Sequence, residues 1–126
     1  MNRAWPVVVL LAACAGNMTP AGPPSPLRGY DIVIRGRDSL SQALHGAFLR
    51  AGYTVRDDVR GGGHAAAALV WWKYVDLDGR GTLEAQVADT RRGNVLAVAT
   101  LPVDTLAGDL PARADLIVRA LLSPSP

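Results

Sequence analysis

The chain has one cysteine, one lysine, one phenylalanine and two histidines among its 126 residues. Each scarcity excludes something. A lone cysteine, Cys14, can form no internal disulfide and no paired-cysteine metal or redox motif. His45 and His64 are far apart in sequence and sit in no metal-ligand spacing. The basic residues are almost all arginine, and no run exceeds Arg91-Arg92, so no nucleic-acid surface is indicated. Charged residues make up 19% of the chain and the formal net charge is +2, which is close to balance. The apolar run from Val7 to Ala13 falls well short of the roughly 20 residues that span a bilayer.

What is present begins at the amino terminus. Met1-Asn2-Arg3 is a positive start, Val7 to Ala13 is an apolar core, and small residues precede Cys14. These are the parts of an export signal. Leu11-Ala12-Ala13-Cys14 resembles the lipobox of bacterial lipoproteins. The resemblance implies cleavage between Ala13 and Cys14, with a diacylglycerol on the Cys14 thiol. A thiol suits that role as the most nucleophilic side chain near neutral pH. Each buried acyl methylene contributes roughly 0.8 kcal/mol, so two or three chains on one residue hold stably where one does not. The expected partner of Cys14 is therefore the membrane. Ala15 departs from the aspartate that marks inner-membrane retention, so an outer-membrane anchor facing the periplasm is favoured over the inner membrane.

Residues 14–28 read as the acylated cysteine and a tether. Ala15 to Leu27 is rich in proline and glycine and has no apolar periodicity. Extended as polyproline II, it reaches roughly 40 Å. Residues 29–123 read as one domain, and residues 124–126 as a disordered tail.

Within the domain, Tyr30–Arg35 is predicted as a strand on its β-branched content. A helix follows over 39–51, capped by Asp38 or Ser39. Ser39 and Gln42 have capping-box spacing, Leu40, Ala43, Leu44, Ala47, Phe48 and Ala51 form an apolar stripe, and Gly52 ends the helix. Tyr53–Arg56 is a short strand, and a right-handed crossover joins it to the first. Gly61-Gly62-Gly63-His64 lacks both the Walker lysine and the Rossmann spacing, and reads as a flexible connector. The aromatic, β-branched stretch to Val75 is predicted as a strand from about Ala67. Asp76-Leu77-Asp78-Gly79-Arg80-Gly81 resembles a calcium loop only in part. Arg80 and Val87 occupy positions where ligands belong, so the segment reads as a turn. Leu83, Ala85 and Val87 alternate inward on the next strand. Thr90-Arg91-Arg92-Gly93 turns the chain, and Asn94–Leu101 returns beside it. Asp109 caps a last helix to Leu122 with Leu110, Ala114, Ile117, Val118 and Leu121 as its apolar face.

The expected fold is therefore a two-layer α/β domain, β-α-β-β-β-β-α, with a small mixed sheet and both helices on one face. The order of elements, with the hairpin from Gly81 through Asp89 and Gly93 to Ala97, is similar to the α/β module of penicillin-binding-protein activator, TolB amino-terminal and curli-secretion-type envelope lipoproteins. The resemblance covers residues 29–123. It implies a fold and carries over no functional residue.

No nucleophile-base pair, metal set or cofactor motif emerges, so no enzyme, metal or cofactor is expected. The expected function is a membrane-anchored, non-enzymatic module that binds an envelope protein. The alternative is a lipoprotein that binds a small molecule or cell-wall ligand through an aromatic strand surface. Trp71 and Trp72 must face opposite sides of the sheet. Lys73 shares a face with Trp71 and suits the core poorly. Val70, Trp72 and Tyr74 are therefore expected under the helices, with Trp71 and Lys73 on the open face as partner-binding candidates. Nothing in the sequence specifies an oligomeric state.

Overall fold

The computed structural model describes residues 25–123. The lipobox, Cys14, most of the tether and the tail after Ser123 lie outside the described residues. The elements are β1 (Tyr30–Val33), α1 (Ser39–Arg50), β2 (Val55–Arg56), β3 (Ala65–Val75), β4 (Gly81–Asp89), β5 (Val95–Pro102), one 3-10 turn (Val103–Thr105) and α2 (Leu110–Leu122). The order β-α-β-β-β-β-α is the expected one. No helix among the described residues is long and apolar enough to cross a membrane.

Each helix begins and ends for a local reason. The Asp38 carboxylate accepts the Ser41 N–H, and the Asp109 carboxylate accepts the Ala112 N–H, at 3.1 and 3.0 Å. Each cap satisfies a backbone donor that has no partner within the helix. The Ser39/Gln42 capping box does not form; Gln42 Nε2 instead donates to the Arg37 carbonyl. Gly52, at φ 93°, closes α1. Its N–H donates to the Leu49 carbonyl, and the Tyr53 N–H to that of Phe48, which is a Schellman closure. Pro111 sits in the first turn of α2, where a missing N–H is harmless. Leu110 is exposed, contrary to its expected place on the buried face, because it precedes the part of α2 that meets the sheet.

The sheet order is β2-β1-β3-β4-β5. β1 is parallel to both β2 and β3, and the rest is an antiparallel meander with a bulge between β4 and β5 near Val87 and Ala88. Both helices cover one face. Leu44 and Phe48 of α1 and Ile117 and Leu121 of α2 are fully buried, as are Ile32, Leu83, Ala85 and Val87 of the sheet. Phe48 meets Tyr53 edge to face at 5.8 Å. Leu27 is also fully buried, and the Ser25 hydroxyl is bonded by both the Leu27 N–H and the Tyr53 hydroxyl. The packed region therefore starts ahead of the expected boundary at residue 29. An apolar side chain so near a proline-rich stretch shows no periodicity by which to recognise it.

The sheet order also dictates a route. β3 lies beyond β1 from β2, so residues 57–64 must cross β1. α1 already occupies one face, and right-handed connection sends this second crossing over the other. Asp31 and Val33, which alternate away from the helices, are accordingly buried at 6% and 1% exposure.

Phe48→Ala removes the one phenylalanine from the centre of this core. It is expected to destabilise the domain by roughly 3–5 kcal/mol, read as a fall in the melting temperature of a soluble fragment starting at Ser25. An unchanged midpoint would contradict the packing described.

Candidate functional site

β3 has 11 residues and its neighbour β1 has four. Along β3, β1 pairs only with Ala65–Ala68, whereas β4 pairs as far as Val75. Among the described residues, Leu69–Val75 therefore has a strand on one side only. The helices cover the same first part of β3. Leu69 is buried, Trp71 is half-buried and packed against the core, and Lys73 and Val75 on that same face are exposed.

This arrangement inverts the expected faces of the two tryptophans. Trp71 lies on the helix side, and its Nε1 donates to Ser41 Oγ on α1 at 2.9 Å. Ser41 Oγ in turn donates to Asp38 Oδ1 at 2.6 Å. The Ser41 hydroxyl holds the Asp38 carboxyl below the usual carboxylate range, against a smaller opposing effect of desolvation. Val70, Trp72 and Tyr74 lie on the open face, exposed at 58%, 38% and 43%. The expectation failed on Lys73. Its charge argued against the helix side, but β3 outruns the helices, so Lys73 is on that side and yet in solvent.

The open face is a broad strip. Val70, Trp72 and Tyr74 oppose Gln86, Glu84 and Thr82 of β4, which in turn oppose Val98, Thr100 and Pro102 of β5. Val98 is 49% exposed. Where β1 ends, a groove of about 580 Å³ opens along the free edge of β3, lined by Val33, Gly36, Ser41, Val59, Leu69 and Trp71 among others. Gly36 is required there, because a Cβ would collide with the Ser41 hydroxyl.

A second cluster, not anticipated from the sequence, lies under the 57–64 crossing. Asp31 Oδ2 is 3.3 Å from Arg56 Nε, and Asp31 Oδ1 is 3.4 Å from His64 Nδ1. Arg56 Nη1 also donates to the carbonyls of Arg60 and Gly61. The triple-glycine segment is therefore pinned to the sheet by Arg56, where a free connector was expected. Gly62, at φ 79°, passes so close to the Arg56 guanidinium that a side chain would clash. No pattern in the sequence marks this clasp; the sheet register places Asp31, Arg56 and His64 on one face.

The other polar candidates are structural. Asp76 Oδ1 accepts the N–H groups of Asp78 and Arg80 at 3.0 and 2.8 Å, which closes the β3–β4 turn. His45 is exposed on α1. Asp89 is buried at the end of β4. It accepts the Tyr30 hydroxyl at 2.7 Å and the N–H groups of Arg91 and Arg92. The Tyr30 hydrogen bond, followed by those backbone donors, holds the Asp89 carboxyl below its ordinary range; the same bond raises Tyr30 above its own. Among the described residues, no group of three or more histidine, cysteine, aspartate and glutamate side chains is arranged to hold a metal ion. The chain matches no protein-family model, no curated protein and no solved structure.

Two outcomes follow. Trp71→Ala is expected to destabilise the domain by roughly 2–3 kcal/mol, less than a fully buried tryptophan, while Trp72→Ala stays within about 0.5 kcal/mol. Paired thermal melts decide between this assignment and its inverse. A carboxyl depressed in the folded state contributes stability above its unfolded pKa and loses it as pH falls through the folded one. Melting temperature should therefore drop on acidification below about pH 4. Asp89→Asn should flatten that dependence while lowering stability near neutral pH; an unchanged slope would remove Asp89 as the cause.

Proposed function

We propose that this chain is a lipid-anchored envelope lipoprotein whose α/β domain is a non-enzymatic module that binds a protein partner through its open sheet face. The anchor is argued from Leu11-Ala12-Ala13-Cys14 and the signal ahead of it. Ala15 favours the outer membrane, with the domain in the periplasm. The observation that carries the binding reading is the exposure of Trp72 and Tyr74, together with Val70 and Val98, on one face of the sheet. Tryptophan and tyrosine supply large contact area with few rotors to order, and they are enriched where proteins bind one another. Trp71, on the other face of β3, ties the strand to α1 through Ser41, and Lys73 on that same face is exposed.

The groove beside Trp71 supports a second reading, a small-molecule or cell-wall ligand. Its volume falls in the range of ligand sites, and its lining is mostly apolar. The Trp71 indole N–H already has a partner, which leaves the ring face as its contribution.

Two measurements test the proposal. Metabolic labelling with an alkyne fatty acid should tag the wild type and not Cys14→Ser, since a hydroxyl cannot replace the thiol in this acylation. Equal labelling would end the anchor reading. A photo-crosslinker at Tyr74, activated in intact envelopes, should give an adduct heavier than one chain by something other than a second copy, and Trp72→Ala should reduce it several-fold. Absence of any such adduct would overturn the protein-binding reading.

A further inference from the structure

We propose that a second copy of this chain pairs with β3 along its free edge, antiparallel and two-fold symmetric, Leu69–Val75 against Leu69–Val75 with Trp72 on the axis. The inference does not depend on the anchor or on the partner of the open face.

The edge has its backbone groups ready. Thr90 N–H donates to the Ala66 carbonyl, so the even-numbered residues of β3 aim their backbone groups at β4. The odd-numbered residues Trp71, Lys73 and Val75 therefore aim theirs at the empty side, where among the described residues no strand pairs with them. An unpaired row of this kind is a template for another strand. β5 also has a free edge, but it carries the bulge near Val87 and Ala88 and ends in Pro102, both of which blunt an edge. The free part of β3 holds no proline, glycine or bulge. Its own tether is a poor occupant, since Pro20, Pro23, Pro24 and Pro26 remove the donors a strand needs.

Three constraints select the register. Backbone groups face each other only if odd residues oppose odd ones. Setting Lys73 opposite Lys73 places like charges together, which is destabilising. Setting Trp71 opposite Trp71 drives Val75 of the second copy against Ala67, where β1 already sits. The register between these two opposes Trp72 to Trp72, Val70 to Tyr74, Trp71 to Lys73 and Leu69 to Val75. It uses the whole unpaired segment and stops where β1 begins. The Trp71 and Lys73 pairs form on the order of four backbone hydrogen bonds about the axis, and each lysine lies across from an indole, a cation–π arrangement.

Charge agrees with this register. With Val75 opposite Leu69, the β3–β4 turn of the second copy comes to the end of β1, because Ala68 pairs with Val33. That turn carries Asp76 and Asp78, and the chain leaving β1 carries Arg35 and Arg37; all four are exposed. The two-fold axis makes the match twice. Side chains of the second copy near Val75 then fall in the groove at the end of β1.

The test uses the full-length chain in membranes. Val70 and Tyr74 oppose each other in a non-hydrogen-bonded pair, with Cα atoms ~4.5 Å apart, within disulfide reach. Val70→Cys combined with Tyr74→Cys should give a band of twice the mass on oxidation, reversed by reductant. Either substitution alone should give none above wild type. The two thiols lie about 13 Å apart along one strand, so they cannot bond within a chain. Lys73→Pro is the second arm. Its outward N–H is not part of the β3–β4 ladder, so proline is tolerated there. In detergent the wild type should sediment as a dimer and Lys73→Pro as a monomer. A band in wild type itself would come from Cys14 and would count against the anchor, not the dimer; sedimentation then decides. A melt showing Lys73→Pro unfolded leaves the decision to the crosslink. A monomeric wild type, a dimer that persists in folded Lys73→Pro, or a double variant no better crosslinked than its single parents would overturn the proposal.

Discussion

Gly36 approaches the Ser41 hydroxyl so closely that no side chain fits between them, and that contact sets the length of β1. To bring Asp38 over the first turn of α1, the chain must leave the sheet directly after Ile34. β1 is thus four residues long, while β3 beside it runs for 11. The mismatch generates the free edge, the groove at the end of β1 and the partial cover over Trp71. Ser41 ties these together: it is almost fully buried, receives the Trp71 indole proton and donates to the Asp38 cap. One hydroxyl therefore couples the start of α1 to the point where β3 emerges from under the helices.

The opposite face is governed by a topological constraint. Two successive right-handed connections around β1 must pass on opposite faces. The first is α1 and the second is the glycine-rich crossing. A bare loop buries little apolar area, so it is held by polar contacts: Arg56 on β2, paired with Asp31 on β1, donates to the Arg60 and Gly61 carbonyls, and the exposed His64 at the entry to β3 lies beside Asp31. Removing either Asp31 or Arg56, both largely buried, strands the charge of the other. The flexible reading of the glycines was right about backbone freedom, since Gly61 and Gly62 adopt positive φ. It missed that this freedom serves a close approach to the Arg56 guanidinium.

Asp76 closes the β3–β4 turn and Asp38 and Asp109 cap helices, and the histidines lie apart, one on a solvent-exposed helix face and one at the clasp. The exposed apolar side chains, by contrast, gather on and around β3 and β5. An exposed aromatic strip next to an unpaired strand edge offers two separate means of association. One works through side chains and the other through the backbone.

The sequence alone determined which segments form helices and strands, and in what order. Those assignments rest on period, caps and turn residues, and each acts within a few positions: Asp38 and Asp109 as caps, Gly52 and Gly93 as positive-φ stops, and Leu83, Ala85 and Val87 as an alternating face. It also determined that Trp71 and Trp72 lie on opposite sides of one strand. It did not determine which side is which, because the pattern of β3 alone is nearly symmetric and Lys73 pointed the wrong way. That choice required knowing how far the helices extend along β3. The clasp, the buried Leu27 and the free edge likewise depend on residues brought together from distant parts of the chain. Only the tertiary structure decided them, since burial is a property of the neighbours a residue acquires on folding and not of the residue itself.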